Sequence, residues 1–266
     1  MDIAYARAGH GDPLVLLHAL GADRHSWDPV LDGLTDSFDV IAIDLPGFGE
    51  SPTMTGEPSP AALARRIGDF LTTIGVTRPH VVGNSLGGWI ALELAAIQPV
   101  ASLTLLAPAG LWRGRTPLYD RVSLRITRWL TSRAGGLLSW LVRYRPFRAL
   151  ILGQTHGRPG SATPDYARAA VRTLGTSPGF DDTLAATRDR HYSATTPLDP
   201  PVTVAYGSRD RIILKGSRRL DELPSGTRLI RLPGCGHLPM ADDPAAVVGV
   251  IIAATSTNPA VQEMGR

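Results

Sequence analysis

The chain has 266 residues, 43% of them hydrophobic, with a formal charge of +3, enough to bury one sizeable core, alone or with an insert. It holds no apolar run of about 18 residues, so no integral membrane segment is expected, and the start Met1-Asp2-Ile3-Ala4-Tyr5-Ala6-Arg7 lacks a basic-then-apolar leader, which makes a cytoplasmic protein the simplest expectation. Cys235 stands alone, which excludes an internal disulfide framework and a cysteine metal cluster, and the mild basic excess, nearly all arginine, reads as compositional bias with no nucleic-acid partner implied.

Ile3 to Ala6 reads as a short edge strand and Gly9-His10-Gly11-Asp12-Pro13 as a turn. Leu14-Val15-Leu16-Leu17 is an unbroken apolar run, the pattern of a parallel strand covered on both faces. A helix over 26–34 leads to a second such strand, Val40-Ile41-Ala42-Ile43. Ser59 and Pro60 suit the N-cap and first position of a helix reaching residue 74. His80-Val81-Val82 is again strand-like and enters Gly83-Asn84-Ser85-Leu86-Gly87-Gly88, after which Ile90, Leu92, Leu94 and Ile97 continue as a helix. Leu103-Thr104-Leu105-Leu106 is the next strand. Strands alternating with helices at this spacing predict a mostly parallel central sheet with helices on both faces.

The alternation then stops. Leu118, Val122, Ile126, Trp129 and Leu130 fall at helical spacing, as do Leu137, Leu138 and Leu141, with Leu150-Ile151-Leu152 and shorter helices over 167–174 and 184–190 to follow. Strands return at Val202-Thr203-Val204-Ala205-Tyr206 and Leu229-Ile230-Arg231-Leu232, and Asp243-Pro244 caps a last helix through Ile251. The expected organisation is a core over 1–110 and 196–255, a helical cap over 111–195, and a flexible C-terminal tail over 256–266.

Gly-x-Ser-x-Gly between a strand and a helix has the pattern of a nucleophile elbow. Such a turn forces the serine into strained backbone geometry, and it needs glycine at Gly83 and Gly87 because a Cβ there would strike the neighbouring strand and helix. A free hydroxyl is a poor nucleophile, so a base must take its proton, and a carboxylate must hold that base in one tautomer.

Four stretches, in order, resemble the serine hydrolases of the α/β-hydrolase fold with a helical cap: His18-Ala19-Leu20-Gly21 after a strand, Asp44-Leu45-Pro46-Gly47-Phe48-Gly49-Glu50-Ser51, the Ser85 turn, and Gly234-Cys235-Gly236-His237. The resemblance spans the chain apart from the cap sequence and the tail. It implies Ser85 as nucleophile, Asp210 as acid and His237 as base, in the fold's chain order, the last two at carboxyl ends of strands where open α/β sheets place their sites. In some relatives the acid follows the earlier strand, but Pro108-Ala109-Gly110 offers no carboxylate. The resemblance also gives His18 the shaping of the oxyanion loop rather than the role of base. Backbone N–H groups of Leu86 and Leu20, with Ala19 as alternative, are the expected oxyanion donors. Asp44 is read as bracing its turn, and Cys235 as a small packed residue.

Substrate contacts are expected from Ala19, Asn84, Trp129, Trp140 and Leu238. Trp112, Trp129, Trp140, Leu130, Leu141 and Phe147 read either as an apolar lining for an acyl or aryl group or as packing of cap on core. Nine arginines between Arg113 and Arg148 face Asp120 alone, which reads as a solvated face, a site for an anionic substrate, or peripheral contact with an anionic membrane surface. The partner is a small-molecule substrate, the chain a monomer or homodimer, and no metal or organic cofactor is implied. The first functional reading is hydrolysis of a carboxylic ester with a small to medium apolar acyl or aryl group. Alternatives on the same residues are a carbon–carbon bond hydrolase of ring-cleavage (vinylogous diketone) products, a cofactor-independent haloperoxidase-like activity, and a non-catalytic ligand-binding protein. Epoxide hydrolases and haloalkane dehalogenases resemble this fold with Asp where Ser85 stands.

Overall fold

The computed structural model describes residues 3–256. Seven strands form one sheet in the order β1-β3-β2-β4-β5-β6-β7: β1 Tyr5–Gly9, β2 Asp12–Leu17, β3 Phe38–Ile43, β4 His80–Asn84, β5 Ser102–Leu106, β6 Val202–Gly207 and β7 Arg228–Leu232. β1 pairs antiparallel with β3, and every other pairing is parallel. The helices are α1 Asp28–Thr35, α2 Pro60–Thr73, α3 Leu86–Ala95, α4 Leu118–Leu141, α5 Arg145–Ile151, α6 Pro164–Thr176, α7 Phe180–Thr187, α8 Pro239–Asp242 and α9 Pro244–Thr255.

Two cores, one on each face of the sheet, explain the unbroken apolar strands. Val15, Leu17, Ile41, Ile43 and Val81 enter one core, where Leu63 and Ile67 of α2 and Trp89 and Ile90 of α3 cover them. Leu14, Leu16, Val40, Ala42 and Val82 enter the other, beneath Val30 and Leu34 of α1 and Val247 and Ile251 of α9. Successive side chains point to opposite faces, so a strand covered twice needs an apolar residue at every position. Helix starts follow their sequence signals. Ser59 Oγ accepts from Ala62 N at 3.3 Å, Thr163 Oγ1 from Tyr166 N at 3.2 Å, and Asp243 Oδ1 from Ala246 N at 3.1 Å, each ahead of a proline at the first helical position.

α4 to α7 all lie between β5 and β6. The two predicted helical stretches around 118–130 and 137–141 are one element, α4, broken at Ala134 (φ −118°, ψ 18°), where the following Gly135 and Gly136 lower helix propensity. α7 starts earlier than 184 because Thr183 N already donates to Gly179 O at 3.0 Å. α4 and α6 pack closely: a Cβ on Gly175 would come within 2.7 Å of Thr131 O. Among the described residues no helix is long and apolar enough to cross a membrane. The tail expected over 256–266 lies, beyond Ser256, outside the described residues.

Candidate active site

β4 ends at Asn84, and the chain turns at Ser85 with φ 54° and ψ −112° into α3. A non-glycine residue held there costs on the order of 1–3 kcal/mol and persists only where its surroundings fix it. The fixing is visible. Ser85 N donates to Leu106 O at 2.9 Å, and Ser85 O accepts from Gly88 N at 3.0 Å and Ala109 N at 2.9 Å. A Cβ on Gly83 would stand 2.2 Å from Gly87 O, and one on Gly87 would stand 2.1 Å from Leu17 O. Both glycines are therefore steric requirements of the turn.

Asp210 follows β6 and His237 follows β7, and the parallel pairing of these strands brings the two together. His237 Nδ1 lies 3.2 Å from Asp210 Oδ2, while Asp210 Oδ1 accepts from Ile212 N at 2.9 Å and Ile213 N at 3.1 Å. Burial pushes the Asp210 carboxyl up, but the charge and hydrogen bond of His237 and the two N–H donors outweigh it and hold the group below its ordinary value. An ionised carboxylate only accepts, so Nδ1 carries the proton and Nε2 is left with a lone pair. Ser85 and His237 both line one cavity of about 250 Å³.

Ala19, Leu20 and Leu238 also line that cavity. Leu86 is the first residue of α3, where backbone N–H groups have no intrahelical carbonyl to bond. His18 beneath the loop is fully buried. Its Nδ1 contacts Ala19 O at 2.8 Å and its Nε2 accepts from Leu45 N at 3.0 Å, and burial lowers its pKa. Both ring nitrogens are thus used in shaping the loop. Asp44 accepts from Arg24 N at 2.7 Å and Glu50 N at 2.9 Å, as a turn brace would.

Three expected substrate contacts are not in the cavity. Asn84 is fully buried behind the turn, where Nδ2 donates to Leu106 O at 2.9 Å and His237 O at 3.0 Å. It ties the serine turn to the histidine loop instead of reaching substrate. Trp129 and Trp140 are 59% and 49% exposed on the outer side of α4. The inner side of α4 supplies Leu124, Thr127 and Thr131 to the cavity, facing Val171 and Leu174 of α6 and Leu152 after α5. The apolar stripe of α4 was legible in the sequence, but it points away from the site. Among the described residues no arginine lines the cavity, which leaves the arginine cluster unconnected to an anionic substrate there.

Several site residues carried no clear sequence signal. Asp242 accepts from Gly236 N at 2.7 Å, Gly157 N at 2.8 Å and Arg158 N at 2.8 Å, joining the segment after α5 to the histidine loop. Thr155 O accepts from His237 N at 2.8 Å and Leu238 N at 3.1 Å. Side chains are excluded at this junction: a Cβ on Gly207 would lie 2.1 Å from Gly236 O, one on Gly236 2.5 Å from Gly157 N, and one on Gly157 2.1 Å from Gly234 O. The available signal was a second acid, Asp242, beside an Asp243 that suffices as helix cap. His156 and Tyr166 form a polar pair in the cavity wall, Nε2 to Oη 3.2 Å, and burial lowers the first pKa and raises the second. Asp120 at the start of α4 is buried with Oδ2 unpartnered. Burial pushes its pKa up to about 7, with His237 pulling it down and Asp210 adding to the rise.

This sheet order, with a strained serine after the central strand β4 and an Asp–His pair after the last two strands, β6 and β7, is the α/β-hydrolase fold. The chain matches the family model described as Alpha/beta hydrolase family over residues 14–250, and it belongs to that family. It is 28% identical over 265 residues to a pimeloyl-[acyl-carrier protein] methyl ester esterase of Aeromonas hydrophila, covering 94% of this chain and 98% of the relative. It is 29% identical over 215 residues to epoxide hydrolase EphH of Mycobacterium tuberculosis, covering 73% of this chain and 93% of the relative. Among solved structures, a hydrolase from Pseudomonas aeruginosa PA01 matches with a TM-score of 0.76 at 24% identity, over 96% of this chain and 94% of that one.

Proposed function

We propose that the protein is a serine hydrolase that cleaves a carboxylic ester of small to medium apolar acyl or aryl substrates through an acyl-enzyme. The observation that carries this reading is the opening of Ser85, on its strained turn, and of the Asp210-held His237 into one largely apolar cavity. In the proposed mechanism Ser85 Oγ attacks the ester carbonyl carbon while His237 Nε2 takes its proton, and Asp210 stabilises the imidazolium that forms. The N–H groups of Leu86 and Leu20 hold the tetrahedral oxyanion, each donor lowering the barrier by about 2.7–4 kcal/mol. His237 then gives the proton to the leaving alcohol. Water, deprotonated by the same imidazole, releases the acid and restores Ser85.

The lining supports the substrate class. Leu20, Leu124, Leu152, Val171, Leu174 and Leu238 present an apolar wall, and among the described residues no arginine or lysine lines the cavity, which favours a neutral apolar acyl group over an anionic one. The relative that is by name a methyl ester esterase agrees with ester cleavage. Ser85 stands against the epoxide-opening alternative, whose resemblance calls for Asp at that position.

The test is labelling with a fluorophosphonate probe, followed by turnover of short and medium chain p-nitrophenyl esters, beside Ser85→Ala. Probe attachment at Ser85 and ester turnover lost in the variant are the expected results. An unlabelled Ser85 would sink the serine mechanism, and labelling without ester turnover would sink the ester reading.

A further inference from the structure

The outer side of α4 has a composition that folding alone does not require. Leu118, Val122, Ile126, Trp129, Leu137 and Trp140 recur at helical spacing on one face, opposite the cavity-lining Leu124, Thr127 and Thr131. All six are exposed, Ile126 by 54% and Leu118 by 68%. Past the end of α4 the patch continues into an aromatic ladder. Trp140 and Tyr144 meet edge to face at 5.5 Å, and Tyr144 and Phe147 at 6.4 Å. The Arg143 guanidinium lies 4.3 Å from the Trp140 ring and 4.6 Å from that of Tyr144. Leu150 of α5 is 77% exposed beside it in the chain. A continuous exposed apolar surface of this kind marks a binding face.

Charge identifies what it binds. Between Asp120 and Asp165 the sequence carries eight arginines and no acidic residue. The whole chain is only +3, so the remainder is net negative and the positive charge is gathered here. Arg128 and Arg148 turn inward onto backbone carbonyls, whereas Arg125, Arg133, Arg143 and Arg145 are exposed. On α4, among the described residues, only Arg128 reaches an acid, Asp181 at 3.7 Å. A second copy of this chain would press the same positive face against itself. An anionic lipid surface satisfies both halves of the pattern, because arginines sit at the headgroups while tryptophan, tyrosine and leucine enter the acyl boundary.

We propose that the outer face of α4 and α5 docks the protein on anionic membrane surfaces, with α4 lying in the plane of the interface. The cavity then stands one helix thickness from the bilayer, on the inner side of the docked helix. Docking does not depend on the hydrolytic reading, so the test uses full-length Ser85→Ala protein, which keeps vesicle lipids intact. Flotation is compared on phosphatidylcholine vesicles and on phosphatidylcholine–phosphatidylglycerol vesicles, at low and at near-molar salt. Binding to the phosphatidylglycerol vesicles alone, reversed by salt, is expected. Arg125→Glu with Arg133→Glu should weaken binding by on the order of tenfold or more. Ile126→Ser with Trp129→Ser should abolish it while leaving the melting temperature, and p-nitrophenyl ester turnover in the Ser85 background, unchanged. Absence of binding, equal binding to neutral vesicles, or outer-face substitutions that dissociate a dimer in sedimentation would each overturn the proposal. The salt and lipid dependence of the unsubstituted surface keeps the test decisive even if a variant folds poorly.

Discussion

Replacing Asp120 with Asn should make the protein more stable at alkaline pH and change the way its stability depends on pH. The side chain is 3% exposed, with Oδ2 unpartnered, and its pKa is raised from 3.8 to about 7. Well below pH 3.8 the carboxyl is neutral in both folded and unfolded chains and costs nothing. Between that point and pH 7 the unfolded chain releases the proton while the folded chain retains it, so stability falls as pH rises. Above pH 7 both states are ionised and the loss is complete. At 1.36 kcal/mol per pKa unit it amounts to at most about 4 kcal/mol. Asn removes this dependence and adds a pH-independent cost of about 1–3 kcal/mol for a buried amide without full partners. The pH-dependent part is isolated by urea unfolding of both proteins at pH 5 and pH 8.5. The fall in stability between the two pH values should be smaller in the variant by a few kcal/mol. An equal fall in both proteins would refute the raised pKa and with it the account of Asp120 as an unpaired buried acid.

Three further outcomes follow from the same geometry. Asn84→Ala strips the donor from Leu106 O and His237 O, which should lower stability by about 1–3 kcal/mol and reduce kcat with little change in KM, since the side chain lies outside the cavity; steady-state kinetics with a p-nitrophenyl ester reads the split. Asp242→Ala leaves the N–H groups of Gly157, Arg158 and Gly236 without their acceptor and should cost on the order of 3 kcal/mol, with limited proteolysis opening first in the segment after α5. Cys235 is buried and its thiol pushed up to about 11, first by burial and then by Asp242 and Asp243; iodoacetamide at pH 8 should alkylate it only after unfolding, as mass spectrometry of the intact protein would show.

The sheet was legible because burial on both faces leaves a mark in consecutive residues: Leu14 to Leu17 and Val40 to Ile43 admit no polar side chain. The places of Ser85, Asp210 and His237 were legible for a related reason, since each sits where a strand ends in a glycine-containing turn. The direction of the α4 stripe was not. Spacing reports that Val122, Ile126 and Trp129 share a face, but the same spacing serves a helix turned to its core and one turned outward. Asn84 was ambiguous because its identity suits a turn, a pocket or a brace, and only the position of His237 O decides between them. Asp242 was hidden because its three donors come from segments 85, 84 and 6 residues away along the chain, a convergence that local pattern does not record.

The glycine contacts among residues 157, 207 and 236 have a consequence for how this scaffold can be altered. They come from the segment after α5, the end of β6 and the loop after β7, and at each one a single methyl group would strike another's backbone. These three loops therefore form one exchangeable unit. A foreign helical segment grafted onto this core must bring its own side-chain-free residue at position 157, or the loop carrying His237 is pushed aside with it. Ala169 and Ala170 of α6 also line the cavity and lie outside these three loops, so there the cavity can be reshaped without touching the glycine junction.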